Sequence, residues 1–149
     1  YPIDRIIQKF KYEQHLHFQN LLAGALLELR LPKIQAIVPM PISNERLVER
    51  GYNQSLVLAK IMAKQLNIPI WQPITRLQQH SQKGLSRLER LDHIEQQFQI
   101  NTTSKLRYRR VLILDDVVTT GSSIHALKLK LEELGCQKIY AACIASAEY

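Results

Sequence analysis

Between Arg110 and Ala145 the chain passes from a short β-rich apolar run (Arg110 to Leu114) through a turn of small residues (Thr119 to Ser123) into a helical pattern (Ile124 to Leu134). It then enters a second β-rich run, Lys138 to Ala145. Gly135 stands where a left-handed residue would end that helix. Strand, turn, helix and strand within about 35 residues make a βαβ unit, which needs a parallel pair of strands with a helix laid on the sheet. An earlier segment repeats the order. Ile34 to Met40 reads as a buried strand leaving through Pro39 and Pro41. After Gly51 a helix capped by Asn53 presents Leu56, Ala59, Ile61, Met62 and Leu66 before Asn67 and Pro69 stop it. A strand near Ile68 to Arg76 follows. Two such units predict an α/β fold with a mainly parallel central sheet flanked by helices. Ahead of them, Ile3 to Arg30 carries apolar residues at helical spacing, one or two amphipathic helices. The polar stretch Gln78 to Gln97, with Gly84, reads as a loop holding a short helix around Ser86 to Ile94.

Length and composition agree with one domain over residues 1–149: 46% hydrophobic and 22% charged residues exclude disordered, collagen-like and coiled-coil chains. No apolar run approaches the roughly 20 residues that a membrane helix needs, so no membrane insertion is expected. The start at Tyr1, without a signal pattern, reads as a piece of a longer protein. Cys136 and Cys143 form neither a disulfide framework nor a CxxC metal knuckle and read as buried small apolar residues, so a reducing, cytoplasmic setting is expected. The formal net charge of +7 favours polyanionic partners, nucleic acid or a phosphate-rich small molecule, without choosing between them.

Ligand crevices of open parallel sheets lie beyond the carboxyl ends of the strands. Here that place reads VLILDDVVTTGSS, Val111 to Ser123. Thr119, Thr120, Gly121, Ser122 and Ser123 can aim backbone N–H groups and hydroxyls at one phosphate on the positive end of the following helix. Asp115 and Asp116 repel a phosphate but suit the cis hydroxyls of a ribose, or a magnesium ion held through water. Either half alone reads more readily as solvated loop residues, a helix cap or a plain turn; both together at this spacing point to a ribose 5-phosphate. Neither GxxxxGK[ST] nor a GxGxxG after a strand occurs, which disfavours a P-loop or a Rossmann dinucleotide site.

VLILDDVVTTGSS resembles the phosphoribosyl pyrophosphate (PRPP) motif of type I phosphoribosyltransferases. Val38-Pro39-Met40-Pro41 with Glu49-Arg50-Gly51-Tyr52-Asn53-Gln54 is similar to the VPxP and RGxNQ elements of the ComF family, a competence-associated branch of that superfamily. Arg76, Gln82, Leu85 and Arg90, up to Phe98, resemble a third family pattern. The resemblance implies a type I phosphoribosyltransferase-like fold with a flexible hood. Asp115 and Asp116 would contact the ribose hydroxyls and the metal as catalytic residues. Val117, Val118 and Thr119 to Ser123 would complete the PRPP site. The loop at Pro39, Met40 and Pro41 would take pyrophosphate through backbone amides, assisted by Arg46 and Arg50, each equally readable as a solvated helix residue. Capping alone explains Asn53; Gln54 has no such explanation.

The hood would span Gln78 to Gln97, with Lys83, Arg87 and Arg90 meeting the charge that develops on the leaving pyrophosphate. His93 falls where the family pattern has an asparagine. Thr119 stands where purine-salvage relatives carry an aspartate and is no useful general base near neutral pH, which disfavours hypoxanthine-guanine salvage. Orotate-type relatives also carry threonine there, so the acceptor stays open. Full-length relatives often carry a four-cysteine zinc knuckle ahead of the transferase domain; its ligands are not in this sequence, so no zinc is expected.

The implied function is a Mg²⁺-dependent transferase acting on PRPP, in the context of DNA uptake during natural transformation. Two alternatives stand beside it. One is a competence factor binding single-stranded DNA, and working with other DNA-uptake proteins, through Lys105, Arg107, Arg109 and Arg110 with Tyr108 among them. The other is a PRPP sensor without catalysis.

Overall fold

The computed structural model describes residues 19–77, 86–101, 107–118 and 120–146. In chain order the elements are α1 (Gln19–Leu27), β1 (Ala36–Pro39), α2 (Asn44–Arg50), α3 (Gln54–Leu66), β2 (Ile74–Arg76), α4 (Arg87–Gln96), β3 (Phe98–Ile100), β4 (Arg110–Val118), α5 (Ser122–Glu133) and β5 (Lys138–Ser146).

β4 is the middle of a parallel sheet in the order β1-β4-β5. The register sets Ile37 beside Leu112 and Leu112 beside Tyr140. Val111 to Leu114 are all buried because both faces are covered, and the pleat sends alternate residues to opposite layers. Val111 and Ile113 join Ala36, Val38, Trp71, Ile74, Phe98 and the α5 residues Ala126, Leu127 and Leu131. Leu112 and Leu114 join Ile37, Leu22 and Leu26 of α1, and Leu58, Ala59 and Met62 of α3. The α/β expectation is met.

α3 begins at the Asn53 cap, whose side chain accepts the N–H groups of Ser55 and Leu56, and ends at Asn67 in the left-handed conformation. Leu58 and Ala63 are buried with Ala59 and Met62, whereas Leu56, Ile61 and Leu66 of the expected face are only half-buried.

Three expectations need correction. β4 does not stop at Leu114: the ladder continues through both aspartates, with Asp115 beside Cys143 and Val117 beside Ala145. A carboxylate need not leave the ladder, since the backbone alone makes the pairing: Asp115 is half-buried and Asp116 buried within it. The strand expected near Ile68 to Arg76 is one bridge, Ile37 to Ile70, followed by the three-residue β2. Pro69 and Pro73 have no N–H to give a continuous ladder. β2 then pairs antiparallel with β3, which the sequence reading did not foresee. The helix expected around Ser86 to Ile94 is present as α4, and a reciprocal capping box starts it: Glu89 N–H donates to Ser86 Oγ (3.2 Å) and Ser86 N–H to Glu89 Oε2 (2.6 Å). That bond holds the Glu89 carboxyl below its usual pKa. Lastly, Cys136 is buried, but Cys143 on β5 is only half-buried.

Among the described residues no helix is long and apolar enough to cross a membrane. The expected amphipathic pattern ahead of Gln19 lies outside the described residues.

Candidate functional site

The carboxyl ends of β1 and β4 open into a cleft of about 320 Å³. Its walls are the loop after β1 (Met40 to Ser43), α2 through Arg46 and Arg50, and the start of α3 (Asn53 to Ser55). Arg76 from β2, Asp115, Asp116 and Val117 from β4, and Ser123 from α5 complete them. Three arginines therefore face two aspartates, an arrangement suited to a ligand that offers both anionic oxygens and hydroxyls.

The two carboxylates differ. Asp115 Oδ1 accepts the N–H of Asp116 at 2.9 Å and the hydroxyl of Ser55 at 3.4 Å. Asp116 is 8% exposed. Its Oδ1 accepts the N–H of Val117 at 2.9 Å, while its buried Oδ2 has no hydrogen-bond partner among the described residues. A buried acceptor left unpaired costs about 1–3 kcal/mol, and such an atom beside a cleft is placed for a ligand's donor or cation. Burial pushes the hydroxyl of the neighbouring Tyr52 above its usual pKa; Arg50 opposes this and Asp116 adds to it.

A second, smaller pocket of about 50 Å³ adjoins the cleft and shares Asp115, Val117 and Ser123 with it. Val118, Thr120, Gly121, Ser122 and Ile124 complete it. Gly121 precedes α5 with φ at 75°, a left-handed geometry that glycine takes without strain, and as the cap residue it has no side chain of its own to offer the helix. The Thr120 and Ser122 hydroxyls lie 2.8 Å apart, and Thr120 Oγ1 accepts the Ser122 N–H. The hydroxyls of Thr120, Ser122 and Ser123 and the amino terminus of α5 thus line one pocket; Thr119 lies outside the described residues.

Arg76 is a site residue that the sequence reading quoted only as part of a family pattern. Its guanidinium lies 5.1 Å from the centre of the Phe98 ring and donates to the Pro41 carbonyl (3.5 Å) and to Ser123 Oγ (3.4 Å). Burial first and Arg46 second pull its pKa below the ordinary value, against Asp115, yet a guanidinium remains a cation in proteins. Ser43 and Ser55 were also missed, whereas Gln54 stood out in the sequence as the residue that capping does not explain. All three are buried polar residues on the cleft wall.

The loop after β1 differs in detail from the expectation. Pro39 is a buried strand residue outside the cleft wall, Pro39 and Pro41 have no N–H, and the Met40 N–H is taken by the Leu114 carbonyl at 2.9 Å. Any amide offered to an anion must come from Ile42 onwards. Arg46 and Arg50 do line the cleft, on a helix capped by Ser43 and closed by left-handed Gly51.

Of the hood residues, Lys83 lies outside the described residues, as do the side chains of Arg90 and His93. Arg87 is exposed at the start of α4 and is not brought to the cleft. Arg107, Arg109 and Arg110 are exposed at the amino end of β4, opposite the aspartates, and Gln35 Oε1 accepts the backbone N–H groups of Arg109 and Arg110. Lys105 lies outside the described residues.

Residues 52–148, from the start of the α3 cap to beyond β5, match the model of the phosphoribosyl transferase domain family. The chain belongs to that family. Its place within the superfamily is the ComF branch. Competence protein F of Haemophilus influenzae is 31% identical over 159 residues, covering 98% of this chain and 69% of that protein. Competence protein ComFC of Bacillus subtilis is 31% identical over 99 residues, 66% of this chain but only 39% of the relative. The DNA utilization protein YhgH of Escherichia coli K12 is 26% identical, covering 96% of this chain and 66% of the relative. These relatives are all longer than the chain.

Among solved structures, the Helicobacter pylori xanthine-guanine-hypoxanthine phosphoribosyltransferase superposes with a TM-score of 0.52 at 16% identity, covering 93% of this chain and 77% of that one. The glutamine PRPP amidotransferase of B. subtilis gives 0.53 at 14% identity, covering 85% and 25%. What these share with the family member described here is the type I phosphoribosyltransferase fold.

Proposed function

We propose that the cleft binds PRPP with Mg²⁺ and that the chain acts as a phosphoribosyltransferase-like protein in competence-associated DNA uptake. The observation that carries this reading is the acidic pair at the end of β4. It faces a cleft with three arginines, adjoins a hydroxyl-lined pocket at a helix amino terminus, and includes Asp116 Oδ2, buried with no partner among the described residues.

In this reading Thr119 to Ser123 hold the 5-phosphate, while Asp115 and Asp116 take the ribose hydroxyls. The pyrophosphate lies toward Ile42, Ser43, Arg46, Arg50 and Arg76. Among the described residues no three His, Cys, Asp or Glu side chains could hold a metal by themselves. Mg²⁺ keeps several waters and binds through one or two carboxylates plus ligand phosphates; Asp115 and Asp116 would hold it. Bound there, it supplies charge neutralisation to the diphosphate. Transfer breaks the bond between ribose C1 and the pyrophosphate oxygen, whose electron pair leaves with the pyrophosphate, and forms a bond from C1 to the acceptor's lone pair. The arginines act where negative charge grows on the leaving group.

A thermal-shift titration with PRPP, with and without Mg²⁺, tests this on the chain and on Asp115→Asn/Asp116→Asn. Ligand at about 100 times its dissociation constant stabilises a fold by roughly 2.7 kcal/mol, about 5–10 °C for a chain of this size. A Mg²⁺-dependent shift lost in the double variant, with pyrophosphate released once an acceptor is supplied, is the expected result. No shift refutes the reading. Single-stranded DNA affinity that falls steeply with salt, and answers to Arg107→Ala and Arg109→Ala rather than to the aspartates, would put the DNA-binding reading in its place.

A further inference from the structure

Asn53 and Ser55 lie on the cleft wall without an assigned contact to the ligand, and hydrogen bonds through them close a ring around the cleft. Asn53 Nδ2 donates to the Met40 carbonyl (3.1 Å). Met40 N–H donates to the Leu114 carbonyl (2.9 Å), and Leu114 is bonded to Asp115. Ser55 Oγ donates to Asp115 Oδ1 (3.4 Å), and Ser55 N–H returns to Asn53 Oδ1 (3.0 Å). The ring joins three elements that are distant in sequence: the loop after β1, the end of β4 and the cap of α3. Capping explains only the Asn53 Oδ1 half of it. Ser55 is 3% exposed, and burying a hydroxyl without a partner is costly, so its bond to Asp115 is its reason to be polar. That bond is also the longest in the ring, the one a bound ligand can tighten.

We propose that Asn53 and Ser55 are positioning residues that couple the two halves of the cleft, so that occupancy of the Met40–Ser43 loop stiffens the placement of Asp115, and the reverse. This rests on the reading of the cleft as a PRPP site. Coupling between sites is reciprocal, so the two halves of the ligand, pyrophosphate and ribose 5-phosphate, must each raise the affinity for the other by one common factor.

Calorimetric titration of the chain in Mg²⁺ measures that factor, with each ligand alone and with the other at saturation. Asn53→Ser keeps a good helix cap but loses the donor to Met40, and Ser55→Ala loses the donor to Asp115. Both are expected to bind each ligand singly while the factor falls about fivefold or more. Ser55→Thr, which keeps the hydroxyl, is expected to retain it. A purely structural role would lower the melting temperature and weaken both ligands alike with the factor unchanged; that result overturns the inference and leaves the PRPP site standing. Wild-type chain that binds neither ligand overturns both.

Discussion

Gly24 and Gly121 receive the same chemical change under Gly→Ala, and the structure requires opposite outcomes. Gly24 lies inside α1, and Gly121 sits at φ 75° ahead of α5; a Cβ at either place meets nothing within 4 Å, so sterics with neighbours drop out. At Gly24, alanine removes the entropic penalty of a helical glycine, a gain of about 0.5–1 kcal/mol. At Gly121 a left-handed alanine costs about 1–2 kcal/mol, offset by about 0.4–1 kcal/mol from the stiffer unfolded chain. The net is roughly 0.5–1 kcal/mol of destabilisation. At about 2–4 °C per kcal/mol for this length, calorimetry should show Gly24→Ala melting about 1–4 °C higher and Gly121→Ala about 1–4 °C lower. Gly51, at φ 80° and equally unobstructed, should follow Gly121. A rise in melting temperature for Gly121→Ala would refute the left-handed turn, and with it the way the hydroxyl pocket is built.

Leu112→Ala empties a position 1% exposed between β4, α1 and α3, and should cost about 2–5 kcal/mol in a denaturant titration. A loss below 1 kcal/mol would mean that the layer is not closed there. Burial pushes the Cys136 thiol from 9.0 to about 11. Because the folded value is the higher one, the folded chain holds more protons than the unfolded chain between pH 9 and 11. Its contribution to stability is therefore complete below about pH 9 and lost as the pH rises toward 11. Stability of Cys136→Ala, measured against the parent over that interval, should fall less with pH; identical slopes would refute the buried thiol.

The layers were legible because β4 is apolar at every position from Val111 to Leu114, a signature of a strand covered on both faces. The cradle was legible because hydroxyls, glycine and a helix start follow one another in sequence. What stayed hidden depends on distance along the chain. Arg76 reaches the cleft because β2 pairs with β3 and Phe98 carries its guanidinium; no local spacing records that. Ser55 becomes a site residue only when the α3 cap meets the end of β4, 60 residues away. The capping box of α4 was local and readable, as Ser86 and Glu89 three residues apart. Pro39 misled because a family pattern marks a position without saying which of its atoms is free to act.

β4 belongs to both hydrophobic layers and ends in the acidic pair, so one strand is at once the spine of the domain and its ligand-reading edge. A molecule gripped at Asp115 and Asp116 is therefore tied to the element whose release dissolves both layers together. Binding free energy taken up there becomes resistance to global opening, and native-state amide exchange should slow along β1, β4 and β5 alike on saturation, well beyond the residues the ligand touches. Occupancy would then be written into the lifetime of the whole folded chain.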